Sequence, residues 1–433
     1  MFIVNKGGLI VKRFDQQLFA RIAESWNGIG VDEFVGFLTP KCQEILTIEK
    51  LRQKIAEQRT LKLKFGIDPT ASEIHIGHVV PILLLRQFAR AGHHIDFIIG
   101  DFTARVGDPT ARDTGRVPLS PDKIVQNMET YTAQIGKYIA LQMLHVHHNT
   151  QWLNPMTLQE IFAIFQQINL SEAMQREDFR VRMRNEQAVS LAEVCYGVLM
   201  GIDSVHLGTD IEIGGIDQLL NFQQCRKIMR QSGMDEEAIL MTSILEGTSG
   251  DGRKMSKSYG NYIAVNATPE NKFGGIMSIP DRLIGQYFRC FTDVHERELT
   301  KLDEFIAQNP LEAKKQLATL MIAIETKDIA DGLCERESFE RRFSQKKITN
   351  DDCVNLHEDG STTVLEALFK SGHFKSKSEL RRLFGQQAVR DIHQGEEAIL
   401  SLEATVDQIR GIVRVGKRRF FRFVAKEVSH DRV

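Results

Sequence analysis

Phe65-Gly66-Ile67-Asp68-Pro69-Thr70-Ala71-Ser72-Glu73-Ile74-His75-Ile76-Gly77-His78 is the stretch that decides the fold. The alternating residues Leu61-Lys62-Leu63-Lys64 lead into it and the apolar run Val79 to Phe88 leads out, so strand, glycine-containing turn and helix follow in order. That order turns backbone N–H groups and a helix N-terminus outward, where they favour an anion. Gly77 carries no side chain and leaves room for a flat ring such as a purine. His75 and His78 are three residues apart on one face of the first helical turn, and both can point at one phosphate. A polar loop with two surface histidines would read the same way, so a second motif has to decide.

That motif is Lys254-Met255-Ser256-Lys257-Ser258, set between Gly250-Asp251-Gly252-Arg253 and Tyr259-Gly260-Asn261. Flanking glycines read as a mobile loop, and two lysines can converge on polyphosphate charge. A solvated basic loop is the plainer alternative. The two motifs stand about 180 residues apart, and together they resemble the paired signatures of the class I aminoacyl-tRNA synthetases. Gly66-Ile67-Asp68-Pro69-Thr70, Gly100-Asp101-Phe102-Thr103-Ala104, Gly107-Asp108-Pro109-Thr110 and Gly214-Gly215-Ile216-Asp217-Gln218 narrow the resemblance to the bacterial tyrosyl-tRNA synthetase family, from about residue 40 onward.

The rest of the chain fits an intracellular enzyme of two or three domains. Its 433 residues are 42% hydrophobic and 26% charged, with net charge −2. No apolar run approaches the roughly 18 residues of a membrane span, so no membrane partner is expected. Six scattered cysteines without a Cys-x-x-Cys pair read as reduced thiols in the cytoplasm, and no protein-held metal is expected.

Residues 1–35 carry no functional signal. Leu46 to Gln58 reads as an amphipathic helix, and Ile95 to Asp101 as a buried parallel strand that closes a βαβ unit of Rossmann type. Asp68, Asp101 and Asp108 are expected at the strands' carboxyl ends. The pattern over 120–207 is helical, and in the resembling family this is an insertion carrying a homodimer interface. Asp210 to Gly215 and Ile239 to Leu245 return as strands. The expected organisation is an α/β Rossmann-type parallel-sheet catalytic domain over 36–264, an α-helical tRNA-binding domain over 265–345, a linker over 346–360 and a small α+β RNA-binding domain over 361–433. That last stretch holds 14 Lys+Arg against 9 Asp+Glu, a local net of +5. Arg381, Arg382, Lys417, Arg418 and Arg419 are its candidate phosphate contacts. The glycine-rich hairpin usual in such modules is replaced by Gln386-Gln387-Ala388-Val389-Arg390-Asp391.

The resemblance implies a two-step reaction: tyrosine attacks the α-phosphate of ATP, brought with Mg2+, and a ribose hydroxyl of tRNA(Tyr) then takes the aminoacyl group. His75, His78, Thr70, Lys254 and Lys257 would stabilise the phosphates in the transition state. Gly66, Asp68, Gly77, Gly215, Asp217, Met255 and Ser256 would hold ATP. Lys64, Asp108, Tyr196, Met200, Asp203 and Gln218 would surround the amino acid, with Asp203 accepting from the phenol hydroxyl. Met200 stands where the family has a glutamine and Ile216 where a small polar residue is usual; Gly197 and Ala192 also depart. These departures leave open a paralogue that activates a different amino acid or feeds a biosynthetic acceptor. A non-catalytic RNA-binding protein on the same scaffold is the third reading.

Overall fold

The computed structural model describes residues 18, 20–21, 25–69, 73–108, 121–166, 168–174, 176–344, 353–374, 376–393, 396–416 and 419–425. Thr70, Lys417 and Arg418 lie outside these residues, as does most of 1–24. The chain divides into two compact units, Met1–Arg336 and Glu337–Val433.

In the first unit six strands form one sheet: β1 Cys42–Leu46, β2 Lys62–Ile67, β3 His94–Ile99, β4 Leu144–His148, β5 Ile211–Gly215 and β6 Ala238–Thr242. Their order is β1-β6-β5-β2-β3-β4, with β1 antiparallel to β6 and every other pairing parallel. From β2 the chain winds outward through β3 and β4, then returns to β5 and winds the other way. Helices after β2 and β5 therefore leave on diverging paths, and a crevice opens beyond the strands' carboxyl ends. The helix Val79–Arg90 packs its apolar residues Val80, Leu84, Leu85 and Phe88 out of water and carries the chain from β2 to β3. Ile95, Phe97, Ile211, Ile239 and Leu240 fill the sheet's buried faces. This is the expected Rossmann-type architecture.

Two strands were not expected. β1 adds an antiparallel edge, and β4 interrupts the 120–207 stretch read as helical. β4 reads Leu144-His145-Val146-His147-His148, too short and too rich in imidazole to stand out by hydrophobicity. Around it lie the helices Pro121–Ile135, Leu158–Phe165, Leu170–Ala173, Glu177–Arg184 and Leu191–Leu207. Further on, the helices Pro269–Met277, Ile284–Phe291, Leu299–Gln308 and Pro310–Thr326 belong to the same compact unit as the sheet. One buried carboxylate ties them to it: Asp293 meets Lys41 at 3.4 Å, Arg90 at 3.0 Å and the Gln87 amide at 2.8 Å.

The second unit is a five-stranded sheet, β7 Val354–Glu358, β8 Val389–His393, β9 Glu396–Ile399, β10 Ile412–Val415 and β11 Arg419–Ala425, ordered β7-β11-β10-β8-β9. The helices Val364–Lys370 and Lys377–Gly385 pack on it through Val364, Leu368, Leu380 and Phe384 against Val389, Val413 and Phe421. β7 pairs in parallel with β11, so part of the expected linker is a strand of this unit. At the glycine-poor turn Gln387 takes φ 56°, the left-handed conformation glycine would adopt at less cost.

Candidate active site

Beyond the carboxyl ends of β2 and β5 lies a cavity of about 520 Å³. Its lining combines Gly66, Asp68, His75, Gly77 and His78 from the first motif with Asp108, Tyr196, Met200 and Asp203. Gly215, Asp217, Gln218, Lys254, Met255 and Ser256 complete the side nearer β5. Residues of both motifs and five of the six expected amino-acid residues thus share one space, although they are spread over nearly 200 positions of the chain.

The histidine end is built locally. His75 caps a 3-10 turn, Ile76–His78, its Nδ1 accepting the Gly77 N–H at 3.2 Å. That bond leaves the proton of a neutral His75 on Nε2. A Cβ on residue 77 would stand 2.9 Å from the His75 ring, so the imidazole itself requires the glycine. The His75 and His78 rings lie 4.0 Å apart. Burial, the neighbouring His78 and the lysines of the second motif push His75 down to about 3, and burial pushes His78 down to about 4. At neutral pH the pair therefore meets an anion as uncharged N–H donors.

The lysine loop is pinned more closely than its glycines suggest. Asn261 accepts the Ser256 N–H at 2.8 Å and donates to the Lys254 carbonyl at 3.1 Å, while the Met255 N–H donates to Leu245 at 2.7 Å. The segment just after the lysine loop also meets the first motif through the backbone, Ile76 N–H donating to the Ile263 carbonyl and Val265 N–H to that of Ile74. Lys254 faces the cavity. Lys257 does not line it and reaches Glu73 at 3.8 Å, at the edge of the first motif.

Two polar clusters mark the opposite region. In the first, Asp68 accepts from Thr103 at 2.7 Å and from the Tyr196 hydroxyl at 3.1 Å, and Gln218 donates to Asp108 at 2.8 Å. Asn221 orients the Gln218 carbonyl oxygen at 2.6 Å and is itself held by Arg176. Acceptors converge here, as an ammonium group requires. Asp217 lines the cavity close by, its carboxyl raised by burial and by Asp108. In the second cluster, deeper, Trp152 Nε1 donates to Asp203 at 2.7 Å and Asn149 approaches it at 3.5 Å. Burial pushes Asp203 up to about 7 against the pull of Lys64.

Lys64 differs from its expected place. It does not line the cavity; its ammonium is buried behind it, 2.8 Å from Glu212 and donating to Ser204 at 2.5 Å and the Met200 carbonyl at 3.0 Å. Sequence reading also passed over Thr103, Asn149, Trp152, Asn221 and Glu212, which orient or border the expected residues from other elements. Of these, Thr103 stood within a quoted motif and Glu212 within an expected strand.

In the second unit Arg381 and Arg382 are exposed on their helix. Arg419 is engaged internally, donating to the His373 carbonyl at 3.1 Å and lying 4.3 Å over Phe374. Arg422, unnoticed in the sequence, is exposed on the sheet.

Residues 56–341 match the family profile of tRNA synthetases class I (W and Y). A tyrosine–tRNA ligase of Aquifex aeolicus is 35% identical over 88% of this chain and 96% of its own length. One of Carboxydothermus hydrogenoformans is 36% identical over 87% and 93% respectively. Among solved structures, a truncated Aspergillus nidulans mitochondrial tyrosyl-tRNA synthetase superposes with TM-score 0.60 at 19% identity, covering 77% of this chain and all of the other. An Archaeoglobus fulgidus tyrosyl-tRNA synthetase complexed with L-tyrosine gives TM-score 0.58 at 21% identity, over 71% of this chain and all of the other.

Proposed function

The chain belongs to the class I tRNA synthetases of the tryptophan and tyrosine group, and from that premise we propose that it is a tyrosine–tRNA ligase in which the cavity described above joins tyrosine to ATP. The observation that carries this reading is the shared lining: phosphate-binding groups at one end, ammonium acceptors and a buried carboxylate at the other.

Tyrosine enters with its ammonium toward Asp108, Tyr196 and Gln218 and its phenol hydroxyl donating to Asp203. Phenylalanine would leave that buried acceptor unpaired, the strongest discrimination a pocket of this kind offers. ATP lies over Gly66, Gly77 and Gly215, with Asp217 accepting from its ribose. The tyrosine carboxylate attacks the α-phosphorus, an acyl–phosphate bond forms and the bond to pyrophosphate breaks. His75 and His78 donate to the oxygens that gain charge, and Lys254 and Lys257 follow the departing pyrophosphate. Thr70 is assigned beside them from the motif. Magnesium arrives on the ATP phosphates as part of the substrate. The tRNA(Tyr) terminal hydroxyl then displaces AMP.

Homodimerisation and cytoplasmic residence complete the proposal. Of fifteen exposed large hydrophobic residues among those described, eight fall between Leu141 and Leu191, including Leu158, Phe162 and Leu191. Such a concentration suits an interface. Among the described residues no helix is long and apolar enough to cross a membrane. Arg381 and Arg382 are the contacts proposed for tRNA in the second unit, with Lys417, Arg418 and the internally engaged Arg419 in supporting places.

The test is amino-acid-dependent pyrophosphate exchange over a panel of aromatic amino acids, followed by aminoacylation. Exchange with tyrosine far above phenylalanine, and charging of tRNA(Tyr), are expected. Exchange with another amino acid and none with tyrosine would replace the assignment.

A further inference from the structure

Behind the amino-acid end of the cavity the first unit buries a second, unassigned set of ionisable groups. Lys64 stands opposite Glu212 in the β2–β5 register, and both are almost inaccessible to water, at 1% and 2% exposure. Glu237, at the entrance to β6, and Cys225, on the helix Leu219–Gln231, complete the set. One oxygen from each glutamate and the Cys225 thiol lie within 4.8 Å of one another. Ser204 bridges the set to the helix that carries Asp203, meeting Lys64 at 2.5 Å and Glu237 at 3.2 Å.

All three donors of the Lys64 ammonium are used, on Glu212, Ser204 and the Met200 carbonyl. Two of these partners sit in the helical turn around Asp203. The cation therefore cannot turn to a ligand, yet it is bonded into the turn that carries the carboxylate lining the pocket. Burying an ammonium is unfavourable unless its surroundings carry compensating charge. Three buried carboxyl groups face it: Asp203, Glu212 and Glu237. Glu212 and Glu237 each leave an Oε2 without a hydrogen-bond partner, and burial together with Glu212 pushes the Glu237 carboxyl up. Glu212 is the carboxylate that Lys64 pairs with directly, while Asp203 lies on the turn that Met200 and Ser204 bring to the ammonium.

We propose that Lys64 is a specificity-determining positioning residue: its buried ammonium draws Asp203 toward the ionised, accepting form, and so helps the pocket tell a hydroxylated aromatic side chain from an unhydroxylated one. The proposal rests on the role given to Asp203 above. The groups facing Asp203 are Lys64 on β2, Glu212 on β5, Cys225 on its helix, and Trp152 and Asn149 after β4, with Tyr196 on its own helix; Glu237 before β6 faces Lys64 and Cys225. Lys64 is the largest pull toward ionisation, and Glu212 pushes the other way.

Those opposite signs define the experiment. The double variant Lys64→Met/Glu212→Gln removes cation and anion together and leaves no unpaired buried charge. Glu212→Gln alone removes only the anion. Exchange kinetics are followed from pH 5.5 to 9 with tyrosine and with phenylalanine, and the Asp203 carboxyl is titrated by infrared difference against Asp203→Asn. In the double variant the acidic limb of kcat/KM for tyrosine moves up by about one pH unit, which at pH 7 is about a fivefold loss of preference over phenylalanine. The preference recovers toward pH 9, and KM for ATP does not move. In Glu212→Gln the limb moves down. Limbs that stay put, or a loss equal at every pH and for both substrates, overturn the proposal. The infrared titration decides without turnover: a wild-type chain inert to tyrosine removes the assigned substrate, while an Asp203 titration unmoved in both variants removes the counter-ion. If the double variant does not fold, the absence of a downward shift in Glu212→Gln suffices to overturn it.

Discussion

At the scale of single residues the site depends on groups that are uncharged where charge would be assumed. His75 and His78 are depressed by burial, so at neutral pH they stabilise phosphate oxygens as N–H donors while Lys254 and Lys257 supply the positive charge. Replacing His78 by Gln is expected to lower the rate of adenylate formation by about 10²-fold, the cost of losing one oriented donor, with tyrosine affinity unchanged. Single-turnover quenched flow reads both. The same depression gives a stability profile. An unfolded histidine titrates near pH 6.5, so between that value and the folded values the unfolded chain binds more protons. Stability is complete above about 6.5 and falls as pH drops toward 4. His75→Gln/His78→Gln should show a smaller fall in Tm between pH 7 and 4 than the parent, measured by calorimetry. These residues were legible from type and spacing because one 3-10 turn sets their geometry. Lys64 was legible as a residue near the pocket and not as a buried counter-ion, since its partners Glu212 and Ser204 lie some 140 to 150 positions away.

At the scale of elements, the helix Leu191–Leu207 carries both Tyr196 and Asp203, and its start is fixed by a reciprocal cap. Ser190 accepts the Glu193 N–H at 3.2 Å, Glu193 accepts the Ser190 N–H at 2.9 Å, and Arg182 grips Glu193 at 2.8 Å. Ser190→Ala should cost about 1 kcal/mol in denaturant unfolding and raise KM for tyrosine more than KM for ATP. Strands β2, β3, β5 and β6 were visible in the sequence as short β-branched or alternating runs bounded by turns. β4 was not, because its histidines face partly toward water at the sheet edge and His94, His147 and Asp96 pair there across two strands. β1 escaped for a related reason: at an antiparallel edge only part of its surface is covered, so no continuous apolar run forms.

At the scale of the molecule, the first unit contains the entire cavity and the second adds basic surface. Cutting the chain after Arg336 should leave tyrosine-dependent exchange intact while charging of tRNA(Tyr) falls at least about tenfold, and the salt dependence of charging should flatten as phosphate contacts are lost. Filter-binding and aminoacylation at two salt concentrations report this. Inside the first unit, Asp293 is held down to about 2 by Lys41, Arg86 and Arg90 in spite of its burial. Asp293→Ala leaves those cations unpaired and is expected to lose about 3–5 kcal/mol of stability, read from chemical unfolding. The central claim is that the histidine turn and the lysine loop act on one triphosphate beside one tyrosine. The measurement that meets it most directly is single-turnover tyrosyl-adenylate formation in the parent chain and in Lys254→Ala/Lys257→Ala. The account predicts unchanged equilibrium binding of tyrosine with adenylate formation slowed at least about 10²-fold. An unaltered rate would contradict it.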